Sequence, residues 1–245
     1  GYSSIRFMRI FMRGFKDEIV LRLATLDLVR GEWRTYSQSI QAPGEYIPGD
    51  QTNHTLFEMS AVNLEENSSR EPVPYVIPPG IRQEVYTGIT STVRQNEQAL
   101  QISVENLVDG DARAVYKTTS FDFRYYKKLK MFIHAEKMFE YDDLEDGDLT
   151  VFLRFGSDLT DNYYEYEVPL KFTDWYTSST DEYGIWPEEN NVEIVFDEVV
   201  NVKNNRNKSL GVNGVQTNRV YTEYSGKNKI KVLGNPTISE VRTMM

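Results

Sequence analysis

Between residues 129 and 172 the chain alternates apolar and polar side chains in short runs, and this alternation most constrains its fold. Leu129, Met131 and Ile133 take every second position, and the runs 149–155 and 164–172 repeat the pattern. A period of two is expected of a pleated strand, since successive side chains point to opposite faces. Acidic glycine turns at Asp109-Gly110 and Asp146-Gly147 punctuate the runs. The region is therefore predicted to be a series of antiparallel strands.

Further strands are predicted at 100–104 and 192–196, and the polar stretch 201–229 is interpreted as a surface excursion. Residues 18–28 fit a strand with a bulge, with a short amphipathic helix as the alternative. Regular strands between such turns predict an all-β fold. We expect an antiparallel β-sandwich of jelly-roll or galactose-binding-like type, with long irregular loops and little helix.

The chain is predicted to divide into three segments that form one compact unit. Residues 1–70 would supply N-terminal strands that pack onto the sandwich, and residues 96–245 would form the main sandwich. Between them, residues 71–95 are interpreted as a strap, because Glu71–Gly80 carries four prolines. Prolines this dense cannot lie in a central strand, since each removes a ladder donor.

The composition excludes several classes of function. The net charge is −10, which argues against nucleic acid or an anionic membrane surface as a partner. With no cysteine and two histidines, zinc and thiol chemistry have few ligands to draw on. A transmembrane helix needs about 18 or more apolar residues in succession, and no such run occurs.

Because the chain opens on Gly1 and ends on Met245 without a polar tail, we expect it to be a piece of a longer protein.

The acidic turn at residues 141–148 is the candidate metal site, with Asp142, Asp143, Asp146 and Asp148 as ligands. Calcium favours several oxygen ligands from one compact loop. The turn departs from the EF-hand spacing, because Leu144 occupies a ligand position. A solvated hairpin turn is the simpler interpretation, and no cofactor is expected. Calcium in another geometry remains open, with contributions from Asp109, Asp158 and Asp161.

Four residues are predicted to lie away from the core face of their strands: Phe132, His134, Phe152 and Arg154. Aromatic rings beside polar groups suit a glycan-binding groove. The alternative is that a covering segment such as the proline-rich strap buries the rings. Neither histidine lies in a nucleophile motif, and nothing in the sequence selects a pair of catalytic carboxylates. The chain is therefore expected not to be an enzyme.

Several words of the sequence resemble the cell-surface SprA (Sov-like) family, the outer-membrane translocon of the type IX secretion system. The resemblance spans the chain unevenly, and the joint order of the words carries it. The most specific are Val29-Arg-Gly-Glu-Trp-Arg34, Pro74-Tyr-Val-Ile-Pro-Pro-Gly80, Asp109-Gly-Asp-Ala-Arg-Ala-Val-Tyr116, Leu129-Lys-Met-Phe-Ile-His-Ala-Glu136 and Gly234-Asn-Pro-Thr-Ile-Ser-Glu-Val241.

This resemblance implies a fragment of a protein-export channel that also supports gliding motility. Charged second faces, such as Glu165 with Glu167 and Lys128 with Lys130, favour a soluble insertion outside the membrane. We expect a non-catalytic structural or interaction domain at the cell surface, on the extracellular rather than the periplasmic side. Its partners would be other parts of the translocon, secretion accessory subunits or exported cargo. The alternative is a carbohydrate-binding jelly-roll module.

Overall fold

A computed structural model of the chain describes Lys16, Val20, Ile40 and residues 32–36, 54–87, 92–209 and 216–245. Residues 32–245 form one compact unit, and residues 1–31 form a second. The predicted element at 18–28 lies outside the described residues except for Val20. The strands are β1 Arg34–Thr35, β2 Leu56–Asn63, β3 Val85–Thr87, β4 Thr92–Arg94, β5 Gln98–Glu105, β6 Val115–Phe121, β7 Lys128–Met131, β8 Thr150–Gly156, β9 Tyr163–Pro169, β10 Val192–Val195, β11 Tyr221–Ser225, β12 Asn228–Leu233 and β13 Val241–Met244.

Seven of these strands form one antiparallel sheet in the order β1-β6-β13-β8-β9-β12-β11. Three two-stranded sheets accompany it: β7 with β10, β2 with β5, and β3 with β4. The fold is mostly β and sandwich-like, as the alternation predicted. Glycine supports two of the predicted turns, because Gly110 and Gly147 have φ values of 76° and 93°, where other residues are strained.

The main core lies on one face of the large sheet. The buried side chains of β8, β9 and β12 on this face pack against β10 and against helix α3, which spans Phe196–Ser209. Phe123, on a short 3₁₀ turn at Phe123–Tyr125, stacks on Phe196 with ring centroids 4.6 Å apart. The β7–β10 pair and α3 thus form the layer that covers this face.

Helix α3 was not predicted, and the placement of Phe196 in a strand was wrong. β10 ends at Val195, and Phe196 begins the helix. The buried residues Phe196, Val199, Val202 and Arg206 recur every three or four positions, which is the helical period. The asparagines at 204, 205 and 207 disfavour helix and hid this pattern, but packing of the apolar face outweighs their propensity. Two shorter helices are α1, Leu64–Asn67, and α2, Glu182–Ile185.

The proline-rich segment 71–80 packs against the rest of the unit without forming a strand. Val73 is fully buried and Tyr75 is 6% exposed, and both join a second core with Ile185 and Trp186. Partly buried Phe132 packs against the same core. Although the predicted strap spans residues 71–95, we refer only to residues 70–80 as the strap, and to this second core as the strap core. No helix in the described part of the chain is long and apolar enough to cross a bilayer.

Candidate functional site

His134 lies next to the strap core and is fixed through both ring nitrogens. Its Nδ1 atom is 2.7 Å from the carbonyl oxygen of Ile185, and its Nε2 atom is 3.2 Å from Oε2 of Glu136. The carbonyl and the carboxylate oxygens are both acceptors, and each faces a different ring nitrogen. Thr173 adds a hydroxyl 3.2 Å from Nδ1. The ring therefore serves as a bridge between α2 and the residues after β7.

Glu136 connects this histidine to the strap. The Nη2 atom of Arg70 donates to both carboxylate oxygens of Glu136, at 2.6 and 2.5 Å, while its Nε donates to the carbonyl oxygen of Val73 at 3.0 Å. Burial pushes the pKa of Glu136 upward, but hydrogen bonds from His134 and Arg70 outweigh burial and leave that pKa below its usual range. The carboxylate therefore stays charged and holds the strap in place.

Trp186 is the aromatic centre of the strap core. The rings of Tyr75, Phe132 and His134 meet it edge to face, with centroids 6.1, 6.4 and 5.9 Å away. Its indole nitrogen donates to the carbonyl oxygen of Val76 in the strap at 3.0 Å. Phe132 and His134 thus contribute to packing under the strap.

Phe152 and Arg154 lie on the other face of the large sheet, with different neighbours. Arg154 is 5% exposed. Its Nε and Nη2 atoms bond to Oε2 of Glu165 at 2.9 and 2.7 Å. Its guanidinium carbon lies 5.4 Å from the Phe152 ring centroid and 4.0 Å from that of Tyr163. Burial raises the pKa of Tyr163 to about 12, so its hydroxyl stays neutral beside the cation.

Arg154 belongs to a row of five charged side chains, which we call the charged layer: Arg154, Glu165, Glu167, Lys229 and Lys231. The strand register creates it, because Glu165 lies opposite Arg154 on β8 and opposite Lys231 on β12. Lys231 contacts both glutamates, and Lys229 lies 2.8 Å from Glu167.

Within the charged layer, Glu165 and Glu167 are 5% and 8% exposed, so the charged face of β9 that the sequence predicted is buried at both positions. Burial raises the pKa of Glu167, yet hydrogen bonds from Lys229 and Lys231 more than offset this and lower it overall. The opposite effect holds for Lys231, whose pKa its two glutamates raise despite burial. The layer therefore pairs each of its two carboxylates with two cations.

The aspartates of the acidic turn accept hydrogen bonds from the turn backbone. Asp142 accepts from the N–H of Phe139, Asp146 from that of Phe172, and Asp148 from that of Glu145. Within the described residues, no backbone N–H donates to the Asp143 carboxylate. Asp158 receives three backbone N–H groups and the Asn162 amide. In the described part of the chain, no three carboxylates or histidines converge as metal ligands would.

The structure therefore divides the four predicted ligand-binding residues into two pairs. Phe132 and His134 pack under the strap, and Phe152 and Arg154 belong to the charged layer. Sequence reasoning did not single out Arg70, Trp186 or the lysines of β12. The Glu-x-Glu of β9 and the Lys-x-Lys of β12 were a usable signal, since opposite charges at alternate positions favour strand pairing.

The described carboxylates at the centre of both clusters are held by cations and serve as fixed anions. Comparison with curated proteins finds none that matches the chain significantly. Comparison with protein families matches SprA_N, described as motility related/secretion protein, over residues 1–245. The match covers every residue and agrees with the order of sequence words that pointed to SprA. The chain therefore belongs to the SprA_N family of motility-related and secretion proteins.

Proposed function

We propose that this chain is a non-catalytic structural and interaction domain of an outer-membrane protein-export channel, the type IX translocon. The observation that carries the proposal is family membership over the full 245 residues. The domain would lie outside the bilayer on the extracellular side. There it would contact other parts of the translocon, accessory subunits or exported cargo.

The chemistry of the central carboxylates supports a scaffold rather than a catalyst. General-acid catalysis by a carboxyl group at neutral pH needs a raised pKa. Glu136 and Glu167 have lowered pKa values and are occupied by cationic neighbours. Such groups hold segments together and do not exchange protons near pH 7.

The packing of the strap supports a rigid scaffold. The Arg70–Glu136 pair, the Trp186 indole bond and the buried Val73 side chain tie residues 70–76 to elements more than 60 positions away in the sequence. A glycan-binding groove would need the Phe132 and Phe152 rings to line one open surface. Their separate packing does not favour that alternative.

An in-frame replacement tests the proposal in cells. Codons 32–245 are exchanged for a glycine-serine linker in the gene that encodes the chain, and cargo is measured in the culture fluid and on the surface. Loss of export with normal levels of the shortened protein in the outer membrane is expected. A strain carrying Arg242→Met, which alters an exposed ion pair, is the matched control. Undiminished export after the replacement would contradict the proposal.

A further inference from the structure

The two-stranded sheet of β2 and β5 carries apolar side chains on an exposed face. The register pairs Phe57 with Val104, Met59 with Ile102, and Ala61 with Leu100. Directly paired residues in an antiparallel sheet point to the same face, so these six side chains form one apolar stripe. On β5 the stripe residues Leu100, Ile102 and Val104 are 41%, 46% and 36% exposed. We call this surface the apolar ribbon.

Strand β5, unlike β2, inverts the usual burial pattern, since the stripe residues Phe57 and Met59 of β2 are half-buried. Along β5 the polar residues Gln101, Ser103 and Glu105 are half-buried, whereas the apolar residues between them are exposed. At one end, Val62 and Ala99 pack against the strap core, which fixes the ribbon to the rest of the unit. A contiguous apolar stripe, unlike a single exposed apolar residue, is a candidate contact surface for another molecule.

Within the described residues, β5 pairs with β2 and no other strand lies beside its outer edge. Neither strand contains a proline, a lysine or an arginine, the residues with which proteins commonly block strand edges. An isolated pair of strands is marginal in water, and a third strand would stabilise it.

The size of the stripe and the charges around it select the occupant. Three residue pairs, about 7 Å apart along the strands, cover roughly 250 Å², whereas a stable dimer buries about 800 Å² on each partner. Face-to-face packing of a second copy therefore buries too little. The charged residues at the two ends of β5 are Glu97 and Glu105, and the other ribbon face adds Glu58. A partner that pairs along this edge should carry basic residues.

We propose that the ribbon binds an extended polypeptide segment with alternating apolar and basic residues, which adds as a third strand beside β5. Main-chain hydrogen bonds to the open edge would hold the segment, its apolar residues would extend the stripe, and its basic residues would meet the glutamates. The inference rests on the proposed function, because it names the chemistry of a segment that the export domain would recognise.

A synthetic peptide tests the inference on the 245-residue chain. The probe is an eight-residue peptide that alternates lysine with valine or isoleucine, capped at both ends. Its controls are the same residues ordered as four lysines followed by four apolar residues, and a version with glutamate for every lysine. Binding is measured by fluorescence anisotropy, and hydrogen exchange is followed by mass spectrometry over residues 98–105.

The alternating peptide should bind and slow exchange across β5, while both control peptides bind at least tenfold more weakly. Ile102→Asp and Leu100→Asp should each weaken binding at least tenfold. The matched control Leu56→Asp, which changes an exposed residue on the other face of the ribbon, should not weaken it, because its carboxylate lies opposite Glu105 on the face that meets the basic residues. Circular dichroism verifies that each variant is folded.

Equal binding of the block-ordered peptide, or no slowing of exchange across β5, would overturn the inference. So would a dimer in sedimentation that Ile102→Asp abolishes while peptide binding is absent, since a second copy would then be the occupant. Binding to phosphatidylglycerol vesicles in place of peptide would likewise assign the stripe to lipid. If export still depends on the domain, any of these results overturns this inference alone and does not contradict the proposed function. Normal export after domain replacement overturns the proposed function whatever the peptide does.

Discussion

Replacing Arg154 with methionine should destabilise the chain far more than an ordinary loss of an ion pair. Methionine fills most of the volume but leaves Glu165 with one cation, Lys231, at 2.8 Å. The change also removes the bond from Nη1 to the carbonyl oxygen of Leu159 and the contact with the Tyr163 ring. The remaining carboxylate is 5% exposed, so water cannot take over the lost hydrogen bonds.

The magnitude follows from these contacts. Breaking a buried ion pair costs about 3–5 kcal/mol when the partner is left without compensation. Because Lys231 still contacts Glu165, we expect the lower end of that range, about 3 kcal/mol. In a chain of this length each kcal/mol shifts the midpoint of thermal unfolding by about 2–4 °C, so Arg154→Met should lower it by about 6–12 °C.

Urea unfolding followed by tryptophan fluorescence and circular dichroism measures the loss. Arg242→Met is the control, because Arg242 also pairs with a glutamate, Glu240, but its side chain is 65% exposed. Its effect should stay within about 0.5 kcal/mol. Adding Glu165→Gln to Arg154→Met removes the poorly paired charge and should recover at least about 1 kcal/mol. The reasoning would be refuted if Arg154→Met were as mild as Arg242→Met, or if the double variant were less stable than the single one.

Three further variants probe the turn, the strap and the helix. Gly234→Ala should cost at least about 2 kcal/mol in urea unfolding, because φ is 67° and the new Cβ would lie 1.9 Å from the carbonyl oxygen of Asp161. Its control is Gly110→Ala, where φ is 76° and the space around the new Cβ is open, and which should cost about 1 kcal/mol. Equal losses for the two variants would contradict the predicted clash at Gly234. The pKa of Glu136 is lowered in the folded chain. Its carboxylate therefore contributes fully to the free energy of unfolding at pH values above its pKa in the unfolded chain, and this contribution is lost as the pH falls through its pKa in the folded chain. Glu136→Gln should flatten this loss of stability at acid pH in unfolding titrations, and an unchanged slope would contradict the reasoning. Phe196→Ala should cost about 3–5 kcal/mol by the same urea assay, because the ring is buried against Phe123, whereas a loss below 1 kcal/mol would mean that α3 does not cover the sheet.

Local alternation was enough to predict the strands, but not what lies on each face. β8 and β9 begin within one residue of the predicted runs, although β9 ends three residues early, since their apolar set faces a single core. The sequence could not tell that Glu165 and Glu167 are buried, because alternation separates two faces without saying which of them meets water. That distinction depends on the long-range register of β12 against β9, which places Lys231 opposite Glu165.

The candidate residues failed to form one site for the same reason. Phe132 and Phe152 were both predicted to point away from the apolar set of a strand, which suggested a shared groove. However, Phe132 follows the end of β7, which pairs with β10 in a separate sheet, whereas β8 lies inside the large one. A side chain's face within its strand is a local property, and the sheet that contains the strand is not. Helix α3 is the opposite case. Its helical period is present in the local sequence, but its asparagines, which disfavour helix, concealed it.

The distribution of charge and apolar surface bears on how such a domain associates. The charged layer offers little exposed surface to another molecule, because Arg154, Glu165 and Glu167 are each less than 10% exposed and already paired with opposite charges. An exposed apolar stripe beside an unblocked edge gains from both hydrogen bonding and burial. The ion pairs lie on the seven-stranded sheet and the exposed apolar residues lie on the apolar ribbon. Association through the charged layer of the seven-stranded sheet is therefore disfavoured. Association is thereby directed to β5, where a short segment with the right alternation fits and a second folded copy buries too little area.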